Sequence, residues 1–165
     1  MTKNVVLVIG LPGSGKSTLS QQLKSETIDV VSSSSLLDNL PSEERIQLKD
    51  KYIDKGIDIP DNIYVEMIVS YITQSQKEKF VIEGFPYNLN QRALSNIFFK
   101  MNDIDISSIV YLKIKKEMAV SRILNRRVCP LCHKTFSNNE VQCDQCGCET
   151  EIRKDDRKSI AIERI

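Results

Sequence analysis

The sequence lacks a charge excess of either sign, a long apolar run and an internal repeat. Its 165 residues include 23 basic and 22 acidic side chains, for a net charge of +1. This balance gives no global field that would favour nucleic acid or a membrane surface. No apolar run approaches the roughly 18–20 residues of a membrane span, and no secretory signal is recognisable. We therefore expect a cytoplasmic, monomeric protein, long enough for one domain with a small insertion.

A complete phosphate-binding loop occupies residues 10–17, with the sequence GLPGSGKS. The apolar run Val5–Ile9 before it predicts a buried parallel strand, and the residues after it predict a helix. Glycines let successive N–H groups point at phosphate oxygens, and a helix N-terminus favours anions. Lys16 would follow the β- and γ-phosphates, and the hydroxyl of Ser17 or Thr18 suits Mg²⁺. A plain glycine-rich turn is the alternative, but the full motif in register indicates a nucleoside triphosphate site.

Short apolar strands alternate with helical stretches, which is typical of an α/β doubly wound fold. The expected strands are Val5–Ile9, Asp29–Ser32, Phe80–Glu83 and Ile109–Lys113. The expected helices cover residues 15–26, 42–55, 62–75, 90–101, 116–126 and 156–165. Asp61 is expected to cap the third helix. The serine run Ser32–Ser35 follows a strand end, where such sheets bind ligands, so it is either a solvated loop or part of a site.

Four of the five cysteines form two C-x-x-C pairs, Cys129 with Cys132 and Cys143 with Cys146, separated by ten residues. Two such pairs offer four thiolates for a tetrahedral structural Zn²⁺. The separation is shorter than the ~15–20 residues of the commonest pattern, but a small hairpin over residues 134–142 would close it. Free or disulfide-bonded cysteines are the alternative. Further candidates for the ligand set are Cys148 and His133.

Arginines flank the cysteine segment on both sides. A transferring phosphoryl group spreads negative charge over its oxygens, so a flap with arginines at both hinges could neutralise it and exclude water. Arg122 and Arg126 are four residues apart and would share one helical face. They could also be ordinary surface arginines of a helix. The other flanking arginines are Arg127, Arg153, Arg157 and Arg164.

Five motifs follow one another along the chain: GLPGSGKST at 10–18, YIDKGIDIPDNIYVEMI at 52–68, IEGFPYNLNQ at 82–91, RILNRRVCPLC at 122–132, and CDQCG followed by RKDDRKSIAIER ending at residue 164. Together they resemble the adenylate kinase family, in the form whose lid carries zinc. The resemblance implies a P-loop doubly wound parallel sheet with helices on both faces. It also implies a helical acceptor-binding insertion over 33–62 and a zinc-binding lid over 126–153. The implied activity is reversible transfer of the γ-phosphoryl group of ATP·Mg²⁺ to a nucleoside monophosphate, with AMP as the default acceptor.

The resemblance also assigns roles, residue by residue. Asp155 and Asp156 match the paired acidic residues of the lid hinge. The donor side would be Gly13, Ser14, Gly15, Lys16, Ser17, Thr18, Glu83 and Arg122. The residues around the transferring group would be Lys16, Arg126, Arg153 and Arg164. The acceptor side would be Ser33, Gly84 and Gln91. The zinc ligands would be Cys129, Cys132, Cys143 and Cys146.

Departures from the family pattern cluster on the acceptor side. Asp38 stands where the family's ISTGDLLR has its arginine, and Tyr87 stands where DGFPRT has another. Each charge-assisted phosphate hydrogen bond is worth roughly 1.5–3 kcal/mol, so these changes could weaken acceptor binding or catalysis greatly. Arg45 and Arg92 are near enough in sequence to substitute. The family's further C-terminal strand and helix are also missing, which would leave the last strand as an uncovered sheet edge.

Three alternatives to an AMP kinase follow. The first is an ATP-binding relative with weak or no catalysis and a regulatory role, and the second is a kinase for another small acceptor. The third, a zinc-ribbon module that binds nucleic acid, is disfavoured by the near-neutral charge. Phosphoryl transfer needs no protein nucleophile, because positioning and charge neutralisation carry the chemistry.

Overall fold

The computed structural model describes residues 2–137, 139–153 and 156, which form two compact units. The first unit contains the described residues up to Ile9 together with Leu19–Tyr111. The second contains Gly10–Thr18 and the described residues from Leu112 onward. Within these ranges, none of the helices combines the length and the apolar character that crossing a membrane requires.

A four-stranded sheet with the strand order β2-β3-β1-β4 is the framework of the first unit. Strand β3 is parallel to β1 and to β2, with Val5 opposite Phe80 and Val30 opposite Val81. The expected parallel α/β architecture is therefore confirmed. The strands are β1 (Lys3–Gly10), β2 (Ile28–Val31), β3 (Lys79–Glu83) and β4 (Ile104–Leu112).

Strand β4 forms one edge of this sheet and begins five residues before the predicted start. Most of its residues are exposed, and its first half includes the polar Asp105, Ser107 and Ser108. Because only two apolar residues, Ile104 and Ile106, alternate with the polar ones in this half, the sequence pattern is weaker here than in the buried strands.

Six helices accompany the strands in the described part of the chain. They are α1 (Lys16–Leu23), α2 (Ser33–Asp38), α3 (Ser42–Lys51), α4 (Asp61–Gln74), α5 (Leu89–Met101) and α6 (Lys116–Leu124), and a short 3₁₀ turn covers Ile53–Lys55. Helix α2 is formed by the serine run. Ser32 accepts a hydrogen bond from the backbone N–H of Ser35, and Ser35 accepts one from the backbone N–H of Ser32. Of the two alternatives for the serine run, the solvated loop is wrong, because this reciprocal cap makes the run the first turn of a helix.

Helix α4 supplies much of the core of the first unit. Val65, Ile68 and Ile72 are fully buried, at the spacing of one helical face. The helix begins at Asp61, but its N-cap is Pro60 and no side-chain cap is formed. The prediction that Asp61 caps this helix is therefore wrong. Its carboxylate instead accepts hydrogen bonds from side chains at the start of α5 and from the residue just before that helix, as described below.

The second unit contains α6 and a two-stranded antiparallel sheet, β5 (Arg126–Val128) with β6 (Thr135–Ser137). Strand β6 pairs with β5, so it does not close a separate hairpin within residues 134–142. Helix α6 ends at Leu124 rather than at residue 126, because the chain turns into β5. A small core of Cys129, Phe136 and Cys143 lies beneath the cysteine segment. The helix expected over 156–165 lies outside the described residues, apart from Asp156.

Candidate functional site

The phosphate loop links the end of β1 to the start of α1. Gly10 has a φ of +150°, and a Cβ built there would lie 2.6 Å from the carbonyl oxygen of Leu112. Gly13 has a φ of +77°, and its Cβ would lie 3.0 Å from the carbonyl oxygen of Ala119 in α6. Both positions therefore require glycine, for backbone conformation and for space. The packing holds the loop in one conformation against α6.

Lys16 folds back over this loop. Its Nζ donates hydrogen bonds to the carbonyl oxygens of Gly10 and Leu11, both at 2.9 Å. Gly15 faces open space, since a Cβ there would meet nothing within 4 Å. The buried hydroxyl of Ser14 has no hydrogen-bond partner among the described residues. An ammonium group, a helix N-terminus and a buried hydroxyl beside open space fit a polyphosphate.

Two of the predicted arginines lie in different surroundings. Arg122 reaches the loop, since its Nη1 donates to the carbonyl oxygen of Gly13 at 3.4 Å. Arg126 instead forms a two-pronged ion pair with the buried Asp156, at 2.9 and 2.6 Å. Because α6 ends before Arg126, the prediction that these two arginines share a helical face is wrong.

Arg127 joins the two ends of the cysteine segment through hydrogen bonds to Thr150. Its guanidinium donates to the hydroxyl of Thr150 at 2.8 Å and also to the Thr150 carbonyl oxygen. Arg153 is exposed. No sequence pattern singles out Thr150, because a neutral hydroxyl outside any motif carries no signal. Three residues of the sequence-based assignment lie outside the described residues, namely Asp155, Arg157 and Arg164.

In the first unit, candidate acceptor residues follow the ends of β2 and β3. The hydroxyls of Ser33 and Tyr64 lie 2.9 Å apart, and burial raises the pKa of Tyr64. Glu83 is the last residue of β3. Gly84 has a φ of +71° and donates its N–H to the carbonyl oxygen of Val8 at 2.8 Å. The chain therefore turns sharply after β3 while remaining attached to β1.

Gln91, predicted to read the acceptor base, is buried within a polar network. Its Nε2 donates to Asp61 at 2.9 Å, and its Oε1 accepts from the backbone N–H of Tyr87 at 2.8 Å. Asn90 and Asn88 also donate to Asp61, at 2.7 and 3.1 Å. The hydrogen bonds from Asn90 and Asn88, with a smaller effect from Gln91, lower the pKa of Asp61 below its ordinary value. Partial burial of the carboxylate acts in the opposite direction but is outweighed. In this conformation both ends of the Gln91 amide are used inside the protein.

The two substituted acceptor positions are accessible. Tyr87 is 68% exposed. The carboxylate of Asp38 lies 4.0 Å from the guanidinium of Arg45. Of the two arginines suggested as substitutes, Arg45 is thus brought beside a position where the family has arginine.

Four thiols of the second unit converge. The Sγ atoms of Cys129, Cys132, Cys143 and Cys146 all lie within 4.8 Å of one another. The separation is 3.3 Å between Cys129 and Cys146, and 3.6 Å between Cys132 and Cys143. Tetrahedral zinc with sulfur ligands at about 2.3 Å places them roughly 3.8 Å apart. The thiol set therefore fits a structural zinc ion, and the exposed His133 is not part of it.

The two cysteine pairs repeat one backbone motif. After the second cysteine of each pair comes a residue with positive φ, 59° at His133 and 71° at Gly147. That residue donates its N–H to the carbonyl of the first cysteine, at 3.0 and 2.9 Å. The backbone N–H of the first cysteine donates to the carbonyl oxygen of the residue that follows the positive-φ residue. This acceptor is Lys134 for Cys129, at 2.9 Å, and Cys148 for Cys143, at 2.8 Å.

Backbone amides also point at sulfur. The N–H groups of Leu131 and Cys132 donate to Cys129 Sγ at 3.4 and 3.3 Å. Burial alone would raise the pKa of Cys129, but these amides and the neighbouring thiols of Cys148 and Cys146 outweigh it and lower the pKa to about 5. A thiol that is readily ionised is the form that binds metal.

Comparison with known proteins returned adenylate kinases. The sequence model described as adenylate kinase matches residues 8–164. The chain is similar to an adenylate kinase of Hydrogenobaculum sp., with 26% identity over 170 residues, 98% of this chain and 81% of the relative. It is 28% identical to that of Caldanaerobacter subterraneus subsp. tengcongensis, over 97% of this chain and 77% of the relative. It is 29% identical to an adenylate kinase of Mesomycoplasma hyopneumoniae, over 97% of this chain and 78% of the relative. The matched range includes the phosphate loop and all five cysteines.

Proposed function

Because the chain belongs to the adenylate kinase family, we propose that it is a nucleoside monophosphate kinase that reversibly transfers the γ-phosphoryl group of ATP to AMP, giving two ADP. Family membership makes the protein a phosphotransferase; the acceptor is the proposed part. The observation that carries the proposal is the phosphate loop, in which Gly10 and Gly13 fix the backbone and Lys16 lies across it.

The donor side would hold ATP through the loop. The backbone of Gly13, Ser14 and Gly15 would hydrogen-bond to phosphate oxygens, and Lys16 would exchange its loop carbonyls for the β- and γ-phosphates. Bound Mg²⁺ would neutralise charge on those phosphates. The side-chain oxygens of Ser17, Thr18 and Glu83 would hydrogen-bond to the water molecules around this Mg²⁺ or bind it directly. Arg122, already at the Gly13 carbonyl, would contact the donor nucleotide.

During transfer, arginines would compensate the charge of the phosphoryl group. Arg126 is placed by its ion pair with Asp156, so a phosphoryl oxygen would compete with that carboxylate for the guanidinium. Arg153 and Arg164 are proposed as further contributors. No protein nucleophile is needed, because the acceptor phosphate itself attacks.

The acceptor side would use Ser33, Gly84 and Gln91. Its weak point is the pair Asp38 and Tyr87, which replace arginines of the family pattern. This observation favours one second candidate function, a kinase for a different small acceptor, since Asp38 repels a phosphate that an arginine would attract. Arg45, 4.0 Å from Asp38, is the proposed replacement charge if AMP is the substrate.

We also propose two functional segments and a structural metal. Residues 33–62 would form the acceptor-binding insertion and residues 126–153 the lid, held by zinc on Cys129, Cys132, Cys143 and Cys146. With four thiolate ligands such an ion keeps no open position for catalysis, so its role would be to fold the lid. A cytoplasmic monomer without nucleic-acid or membrane partners agrees with the near-neutral charge.

The test is ADP formation from ATP·Mg²⁺ with a panel of nucleoside monophosphates, beside a reaction without acceptor. Turnover that requires AMP would support the proposal. Turnover only with another acceptor would establish the second candidate. ATP binding in the same sample without turnover on any acceptor would contradict both and indicate a nucleotide-binding relative.

A further inference from the structure

The fifth cysteine of the lid lies at a special position of the repeated backbone motif. When the two cysteine pairs are matched, Cys143 corresponds to Cys129 and Cys146 to Cys132. By the same match Cys148 corresponds to Lys134, whose ammonium group points away to Asp144 at 2.6 Å. The first pair therefore carries an ion-paired lysine where the second carries another thiol.

That thiol lies against the proposed metal ligands. Cys148 Sγ is 3.1 Å from Cys129 Sγ and 3.4 Å from Cys146 Sγ, while the Cys129–Cys146 distance is 3.3 Å. The three sulfurs form a nearly equilateral triangle. Cys148 Sγ is thus about as close to the fully buried Cys129 as Cys146 Sγ is, and it lies beside, not within, the set of four thiols that are all within 4.8 Å of one another.

The two competing thiols differ in exposure. Cys146 is exposed and Cys148 is half-buried, whereas Cys129 and Cys143 are buried. Solvent and competing chelators reach the two exposed ligands, Cys132 and Cys146, first, and of these Cys146 has the half-buried thiol of Cys148 beside it. A tetrahedral ion accepts only one of the two.

We propose that the fourth zinc-ligand position is shared: Cys129, Cys132 and Cys143 hold the ion together with either Cys146 or Cys148. This inference rests on the zinc site included in the proposed function. In the exchange, one Zn–S bond forms as another breaks. The incoming thiol gives up a proton and the outgoing thiolate takes one up, so neither charge nor oxidation state changes.

The experiment compares Cys→Ser variants of the full chain loaded with zinc. Zinc retention is measured against a colorimetric chelator, and Co²⁺-substituted samples report the number of thiolate ligands through sulfur-to-metal charge-transfer absorption. Cys132→Ser is the matched control, because Cys132 is the exposed counterpart of Cys146 in the other pair and Lys134 replaces the spare thiol there.

The expected result is asymmetric. Cys146→Ser and Cys148→Ser should each change zinc affinity by less than about tenfold and keep a four-thiolate Co²⁺ spectrum, whereas Cys132→Ser should lose about a hundredfold or more. The double variant Cys146→Ser/Cys148→Ser should behave like Cys132→Ser, with three thiolates.

Two outcomes would overturn the exchange. Either Cys146→Ser or Cys148→Ser alone could lose zinc as completely as Cys132→Ser, which would make that residue the sole fourth ligand. A wild-type protein that binds no zinc would overturn the metal site itself, so the two failures are distinguishable. Because the control carries the same substitution at an equally exposed site, a general folding defect would affect it equally.

Discussion

The ammonium group of Lys16, the proposed ligand of the donor phosphates, is hydrogen-bonded to two carbonyl oxygens of the phosphate loop. We expect Lys16→Ala to reduce phosphoryl transfer by about a hundredfold or more, the scale seen when one stabilising donor is removed. The fold should persist, because the two hydrogen bonds lie within the loop and no core packing is lost. Steady-state ADP formation and thermal unfolding measure the two effects. Lys24→Ala, an exposed lysine after α1, is the control, and equal turnover in both variants would refute the role of Lys16.

Asp61 shows how one carboxylate organises an entire turn. It accepts hydrogen bonds from Asn88, Asn90 and Gln91, and Asp61→Asn should lower the free energy of unfolding at pH 7 by about 1 kcal/mol, since solvent screens part of the effect. The folded-state pKa lies below the ordinary value of 3.8. Its contribution is therefore fully present above that value and is lost as pH falls through the lower folded pKa.

Chemical denaturation between pH 7 and pH 3 tests this dependence. The difference between wild type and Asp61→Asn should be constant above the ordinary pKa of 3.8 and should narrow as the pH falls below it. Asp58→Asn, at an exposed position of the preceding segment, is the control for removing a carboxylate. A gap that stays open at the acidic end would mean that the network contributes through packing and not through charge.

At the scale of elements, the phosphate loop depends on the parts packed against it. Gly10→Ala would bring a Cβ to 2.6 Å from the Leu112 carbonyl oxygen at a φ of +150°, so both strain and overlap oppose it. We expect a loss of about 2–3 kcal/mol in stability. Gly56→Ala, where φ is +68° but the space is open, should cost only about 1 kcal/mol. Urea denaturation of the two variants compares them, and equal losses would show that overlap with β4 is unimportant.

The elements also show what can be predicted from sequence. The loop register, three strand positions and most of α4 and α5 follow from the phosphate motif and from apolar periodicity. Helix α2 could not be predicted, because serines have weak helix propensity and its cap uses a second serine in place of the usual glutamate or glutamine. The early residues of β4 are mostly exposed and only Ile104 among them is buried, so apolar periodicity is weak there.

The candidate site divides in the same way. Spacing predicts the four converging thiols, since two C-x-x-C turns leave little freedom. It does not predict that Gln91 is held by Asp61, or that Arg126 is paired with Asp156, because such contacts join residues about thirty positions apart and no local pattern encodes them.

At the scale of the molecule, the two units differ in what stabilises them. The first has a large apolar core, whereas the small core of the cysteine segment contains only Phe136 and thiols. If the proposed zinc ion holds this segment, its removal with a chelator should unfold the cysteine segment and leave the sheet intact. Hydrogen exchange should show faster amide exchange over residues 126–150 and unchanged protection of β1 and β3, with recovery when zinc is added back. Equal loss of protection in both units, or no change in either, would contradict this.

The contact between Gly13 and Arg122 joins residues 109 positions apart, and nearly all of the first unit lies between them in the chain. During synthesis the ribosome adds the residues of that unit before those of the helix that braces the phosphate loop. The phosphate loop can therefore take this braced conformation only after residues far along the chain have been made. We accordingly expect the proposed ATP site to be complete only once α6 has been made.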